Sequence, residues 1–297
     1  MENASSASSP VPAKGFNYKK TIALALIFIV LALVALGYWI YSLTRVSTDD
    51  SYVNANVVQI AARVTGQVLE LDVQNNQAVK KGDVLFRLDP APFLAVEQQA
   101  EAQLAIDQAN LANARATAQR VFTLVKEGVL SQQDHDDNLA KLDSAKALVA
   151  LDQASLKTAQ LNLQYTIVIA PVDGWVSNMS LRPRDTVNAN EPQFALIASD
   201  YFWVDANFKE TDLARIKVGA PAKIYVDMYP DHVFQGVVES VSGGSGNAFA
   251  LLPPQNATGN WVKVTQRVPV KVHVLDLDSQ YPLRVGTSAV VVIPTHE

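Results

Sequence analysis

The sequence contains no cysteine. That excludes a disulfide framework, a thiolate metal site and a lipid anchor attached through cysteine, and it suits a reducing or an oxidising compartment equally. Histidine is scarce. His135, His232, His273 and His296 are scattered without the spacing of metal ligands. The acidic run "DHDD" (Asp134–Asp137) does not supply a metal site either: neighbours on a helix point in different directions, and acids in a first turn are favoured by the helix dipole. No cluster of basic residues with interleaved aromatics appears, and the net charge of −5 argues against a nucleic-acid partner. No nucleophile–base pair and no phosphate-cradling glycine loop is evident, so the chain reads as a non-enzyme with no cofactor.

Charge is missing altogether from 21–43, "TIALALIFIVLALVALGYWIYSL". The length matches the roughly 20 apolar residues that cross a bilayer. Tyr38, Trp39 and Tyr41 gather at one end, where amphipathic rings favour the interface. Lys14, Lys19 and Lys20 precede the span, and Arg45, Asp49 and Asp50 come after it, a bias that places the N-terminus in the cytoplasm and the rest outside. The run exceeds a signal-peptide core of about 7–15 residues and lacks a small-x-small cleavage site, so an uncleaved anchor is expected. The Ser/Ala/Pro-rich residues before it, within 1–20, read as a disordered cytoplasmic tail.

Beyond the span, the chain is organised by a repeat. "VQIAARVTGQVLELDVQNNQAVKKGDVLFRLDP" (from Val58) and "TIVIAPVDGWVSNMSLRPRDTVNANEPQFALIAS" (from Thr166) align at an offset of 108 positions. Val64, Gly66, Val68, Val79, Phe86 and Leu88 then match Val172, Gly174, Val176, Val187, Phe194 and Leu196. Both copies alternate apolar and polar residues and turn at Gly or Asn, a strand pattern. A half this small cannot bury its own apolar face, so the two halves, 44–90 with a lead-in strand and 166–200, are expected to form one β-sandwich.

Between them, 91–165 is rich in Ala, Leu, Gln and Glu. Leu104, Leu111, Ala118 and Val125 recur every seven residues, as do Leu142, Val149, Leu156 and Leu163, which marks a coiled-coil seam. Two antiparallel helices joined near residue 130 are predicted, pairing Leu104 with Leu163, Leu111 with Leu156, Ala118 with Val149 and Val125 with Leu142. Each arm would be roughly 50–55 Å long. At the join, Gly128 is suited to stop the first helix and Ser131, followed by Asp134, to cap the second. Val129 and Leu130 are then apolar residues on a turn. From 201 to 297 five strand-like runs return, suggesting a small β-barrel. A long Gly/Pro/Asn loop interrupts it and holds Phe249, Leu251 and Leu252 ahead of Trp261, a grouping that a free loop rarely exposes.

An anchor, a split sandwich, a helical hairpin in the split and a following barrel together resemble the HlyD-like periplasmic adaptor, or membrane fusion protein, family. Three stretches, "TDDSYVNANVVQIAARVTGQV", "NFKETDLARIKVGAPAKIYVD" and "ALLPPQNATGNWVKVTQRVPV", are most similar to its EmrA-type multidrug-export branch. The resemblance implies a multidomain α+β protein with lipoyl-like sandwich halves, anchored in the inner membrane of a Gram-negative bacterium with its bulk periplasmic. It implies an adaptor that links an inner-membrane transporter, the major-facilitator type being favoured, to a TolC-type outer-membrane channel, and that self-associates to a trimer or hexamer. Hairpin tips in several members carry Arg-x3-Leu-x6-Ser, matched here by Arg120, Leu124 and Ser131, so that these residues with Val129 and Leu130 are expected to dock on the channel. Phe249, Leu251, Leu252 and Trp261 are expected to touch the transporter or the membrane. The hairpin is shorter than in that branch. Two other readings stay open from the residues alone. A lipoyl carrier needs a lysine at the turn joining the halves, whereas Lys80 and Lys81 lie elsewhere; a structural coiled-coil stalk, or an adaptor of a type I protein-secretion system, could use the same hairpin.

Overall fold

The computed structural model describes residues 26–34, 36–37, 44–249, 263–278 and 280–295. Residues 26–34 and 36–37 are helical and their side chains are exposed. The rest of the expected span lies outside the described residues, among which no helix is long and apolar enough to cross a membrane. The strands are β1 (Arg45–Thr48), β2 (Ser51–Ala61), β3 (Gly66–Leu71), β4 (Ala78–Val79), β5 (Val84–Leu88), β6 (Ile167–Ile169), β7 (Gly174–Ser177), β8 (Thr186–Val187), β9 (Pro192–Lys209), β10 (Pro221–Val226), β11 (Val233–Val241), β12 (Arg267–Val274) and β13 (Ala289–Pro294). The long helices are α1 (Ala91–Lys126) and α2 (Gln132–Gln164). They fall into two compact units, Asn54–Phe202, and Met1–Val53 with Trp203–Glu297.

In the first unit the repeat is visible as geometry. β3, β4 and β5 recur at the same offset as β7, β8 and the start of β9. The copies exchange partners: β3 pairs with β8, setting Gly66 opposite Val187, and β4 pairs with β7, setting Val79 opposite Gly174. Their backbone hydrogen bonds are reciprocal. Val68 N donates to Asp185 O at 2.8 Å and Val176 N to Gln77 O at 2.9 Å. Gly82 N donates to Ala170 O and Asn190 N to Ala62 O, both at 2.8 Å. Even the left-handed turn positions repeat, Asn76 (φ 65°) with Arg184 (φ 76°), and Gly82 (φ 93°) with Asn190 (φ 63°). One core results, drawn from both halves and including Val68, Val79, Phe86 and Leu88 with Val176, Val187, Phe194 and Leu196. Phe86 and Phe194, equivalent by the repeat, meet edge to face at 6.1 Å. Each such side chain contributes about 1.5–3 kcal/mol by leaving water.

α1 and α2, of 36 and 33 residues, form an antiparallel pair. At 1.5 Å per residue they are about 54 and 50 Å long. All eight heptad residues are half-buried or buried, so the seam lies on the expected face. The level of the pairing differs from the expectation. Phe122 meets His135, ring centroids 5.7 Å apart, and Asp107 is hydrogen-bonded to Asp152. These contacts centre the fold on the turn at 127–131 and shift the alignment by one heptad. Leu104 is level with the turn holding Leu156 rather than Leu163, Leu111 with Val149, and Ala118 with Leu142. A seven-residue repeat fixes which face is apolar but not how far the helices slide, and here the five-residue turn decides that.

In the second unit the ladder runs β1-β13-β10-β11-β12-β9, and exposed and buried residues alternate strictly along strands such as β10. Val204, Ala206, Phe208, Ile224, Phe234, Val270, Val272, Val291 and Ile293 fill its interior. Side chains and backbone close it between β9 and β1: Thr48 Oγ1 donates to Asn207 O at 2.8 Å, Asn207 N to Asp50 O at 2.8 Å, and Arg267 pairs with Asp50 at 3.2 Å. The five strand-like runs after 201 thus gain a sixth, β1, which the sequence pattern alone assigns to the first sandwich half. Its pairing with β13, from Arg45 opposite Pro294 to Thr48 opposite Val291, binds it to the barrel instead.

The repeat has one steric asymmetry that can be tested. A Cβ on Gly174 would lie 2.1 Å from the backbone oxygen of Ile197, whereas one on Gly66 would make ordinary contact with Leu88 at 3.5 Å. Gly174→Ala should therefore part β7 from β9 and destabilise the sandwich by about 3 kcal/mol. Gly66→Ala should be neutral or stabilise by about 0.5 kcal/mol. Thermal unfolding of the two variants reads the difference, and equal midpoints would contradict the packing described.

Candidate functional site: the hairpin tip and the seam behind it

The tip is built by two capping motifs placed back to back. α1 ends with Gly128 N donating to Val125 O at 3.0 Å and Val129 N to Leu124 O at 2.9 Å. This Schellman pattern needs a left-handed residue, and Gly128 supplies φ 77°. Two residues later Ser131, with φ −81° and ψ 158°, caps α2 through a capping box with Asp134. Asp134 N donates to Ser131 Oγ at 3.3 Å, and Ser131 N and Oγ donate to Asp134 Oδ2 at 3.1 and 2.6 Å. Those bonds, the side-chain one foremost, hold the Asp134 carboxyl below the usual range.

This rigid turn carries the expected docking residues. Arg120 and Leu124 stand one helical turn apart on α1, both exposed, and Arg120 Nη2 donates to Thr117 Oγ1 at 3.0 Å. Val129 is 66% exposed and Ser131 is exposed, but Leu130 is half-buried. Of the two apolar turn residues, Val129 is therefore the one fully presented to solvent. Sequence reasoning missed Phe122, 55% exposed beside the tip and in contact with His135. At the start of the barrel loop, Asn247 Nδ2 donates to Gln266 Oε1 at 2.7 Å. The Phe249 side chain, Leu251, Leu252 and Trp261 lie outside the described residues.

Behind the tip, the seam holds a pair of acids that the count of apolar heptads passed over. Asp107 follows Leu104 by three residues and Asp152 follows Val149 by three, which puts both on the buried stripe. Gln103 Nε2 donates to Asp107 Oδ2 at 2.9 Å and Asn110 Nδ2 to Asp107 Oδ1 at 3.1 Å. These amides, with a bond from Asp152, keep Asp107 ionised below its ordinary range. Asp152 is pushed up by its hydrogen bond to Asp107, then by burial and by the neighbouring charge. Its Oδ2 is covered and has no partner. Of the two carboxyls, Asp152 is thus the one that takes up a proton more readily. Among the described residues no cluster of three or more His, Cys, Asp or Glu could hold a metal ion.

Residues 96–166 match the family described as RND MFP, alpha-helical hairpin domain, and 201–294 match the AAEA-like beta-barrel domain. The chain is 32% identical to the multidrug export protein EmrA of Escherichia coli K12, over 88% of this chain and 80% of that protein. The chain belongs to the EmrA-type periplasmic adaptor, or membrane fusion protein, family. Other relatives of this adaptor include the fatty acid resistance protein FarA of Neisseria gonorrhoeae, 35% identical over 84% of this chain and 75% of FarA. The multidrug resistance protein MdtN of E. coli K12 is 33% identical over 90% of this chain and 94% of MdtN. The fold is that of the solved periplasmic adaptor EmrA, with TM-score 0.50 and 20% identity over 85% of this chain and 99% of that one. It is also that of the membrane fusion protein Spr0693 of Streptococcus pneumoniae R6, with TM-score 0.63 and 16% identity over the same shares of the two chains.

The acid pair gives the adaptor's hairpin a definite pH response. Because Asp152 is raised in the fold, the folded hairpin holds a proton that the unfolded chain releases. Its stabilising share is complete below the ordinary aspartate range and is lost as pH rises through the elevated value. Asp134, lowered by its cap bonds, acts oppositely, its contribution fading as pH falls. Asp152→Asn should raise the melting temperature of the helical signal more at pH 7.5 than at pH 3, since the amide can donate to Asp107 at either pH whereas the carboxyl donates only when protonated. Equal shifts at both pH values would contradict the raised Asp152.

Proposed function

We propose that this adaptor is anchored in the inner membrane by 21–43, with its N-terminus cytoplasmic and its bulk periplasmic, and that it joins an inner-membrane transporter to a TolC-type outer-membrane channel for the export of drugs or small toxic compounds. The lysine bias before an uncharged run supports the orientation, and the exposed apolar helix at 26–34 has the surface that a bilayer would cover. The names of its relatives, two concerned with multidrug resistance or export and one with fatty acid resistance, support the class of cargo. A major-facilitator transporter is the favoured partner, on the resemblance to the EmrA-type branch. One hairpin cannot enclose a conduit, so three or six copies would ring the path. Ile106, Leu148 and Leu151, 56%, 47% and 61% exposed off the seam, are suited to side-by-side packing of neighbouring hairpins.

The observation that carries the docking reading is the tip itself. Two caps remove the turn's freedom and leave an exposed Val129 beside Leu124 and Arg120. A preformed, rigid presentation of an aliphatic group and an arginine lowers the ordering cost of binding. Such anchors typically lose about 2 kcal/mol or more on removal. Val129→Asp and Arg120→Ala should abolish drug resistance at normal levels of membrane-inserted protein. Leu130→Asp is a harsher change, because Leu130 is half-buried in the free chain. Ser131→Asn separates capping from docking: its amide keeps a capping oxygen and a donor for Asp134, so the cap, worth about 1 kcal/mol, is retained while the surface of the tip changes. Normal export by both Val129→Asp and Arg120→Ala would show that this turn does not meet a channel.

A further inference from the structure

One end of the barrel is assembled from the segments nearest the anchor. β1 runs away from Arg45, and the antiparallel ladder brings the close of β9 at Lys209, the start of β10 at Pro221, the close of β11 at Val241, the start of β12 at Arg267 and the close of β13 at Pro294 to that same end. Cross-contacts tie these segments together. Arg215 Nη2 donates to Arg45 O at 3.2 Å, Glu210 N to Gln266 O at 2.9 Å, and Thr295 N to Thr44 O at 2.9 Å.

The charges at the two ends differ in sign. The end with Arg45 carries exposed Lys209, Lys217 and Lys263 as well as Arg215 and Arg267; its acids are Glu210, Asp212, which lies 4.0 Å from Arg215, and Asp50, which is paired with Arg267 at 3.2 Å. Val218 and Val264, each 64% exposed, stand next to Lys217 and Lys263. The opposite end, formed by 227–232 and 275–288, carries exposed Asp227, Asp231, Asp276 and Asp278, with Arg284 as its lone lysine or arginine among the described residues. A strand-to-strand barrel has no internal need for this polarity.

We infer that the Arg45 end of the barrel rests on the anionic phospholipid headgroups of the membrane that holds the anchor. The inference depends on the proposed span at 21–43. If that span ends at Leu43, only Thr44 separates it from β1, and one residue reaches at most about 3.6 Å. The barrel end is then held at headgroup depth whether or not it binds. Lysines near an anionic surface each gain attraction that fades within a Debye length, and the valines fit the apolar side of the interface.

The absence of cysteine makes the test clean. The full chain, carrying Val218→Cys or Leu277→Cys labelled with a fluorophore, is reconstituted in phosphatidylcholine vesicles with or without phosphatidylglycerol, both containing a headgroup spin label as quencher. Quenching at position 218 should be several-fold stronger than at 277, should rise with phosphatidylglycerol, and should fall when Lys209, Lys217 and Lys263 are all replaced by Gln. Equal quenching at the two positions, or quenching at 218 indifferent to both phosphatidylglycerol and the lysines, overturns the inference. Alkaline extraction of the same vesicles reports the span separately. A chain that resists extraction while position 218 stays unquenched overturns the headgroup contact alone and leaves this face to a protein partner. A chain that alkali removes overturns the anchor and, with it, the inference.

Discussion

Val68 and Val176 each donate a backbone hydrogen bond to the other half of the repeat, and the same reciprocity governs the turns at Gly82 and Asn190. Neither half can close without its copy, because each lacks the strand that would cover its own apolar face. The remaining organisation of the first unit derives from this interlock. It brings the end of β5, where α1 departs, and the start of β6, where α2 returns, into neighbouring strands, since β5 and β6 pair. Two helix ends fixed side by side can only leave as an antiparallel hairpin, and the core around Phe86 and Phe194 supplies the rigid footing.

Along the hairpin the physics changes from burial to geometry. A two-helix pair has little interior, and its seam mixes leucines with alanines and one acid pair. Such a pair is held in register by its turn as much as by its seam, and the turn is held by a Schellman motif on one side and a capping box on the other. Rigidity at the tip and tolerance in the seam are thus separate properties. The first leaves Val129 and Arg120 exposed in a fixed geometry, as the proposed docking requires, and the second lets protonation of Asp152 bear on how firmly the helices stay together.

Much of this was legible in the sequence for identifiable reasons. The repeat was readable because matched residues such as Val79 and Val187 face one core, and the caps because Gly128 and Ser131 are demanded by local backbone geometry. The helix register was not, since heptads specify a face and leave the axial level free. Asp107 and Asp152 escape a seam traced through its apolar members alone. β1 reads as part of the sandwich because "RVST" offers a single large apolar residue, and only its ladder to β13 reveals its true partner. The half-burial of Leu130 and the opposed charges of the barrel ends both depend on which residues the turns and strands bring together, which spacing along the chain does not record.

The central proposal is that the capped turn docks on an outer-membrane channel. The most direct test places a photo-reactive residue at Val129, and in a parallel variant at Leu148 midway along α2, and irradiates intact cells producing normal levels of the protein. The account predicts a channel adduct from position 129 and self-adducts from position 148. Channel adducts absent at 129, or formed equally at 148, would contradict it.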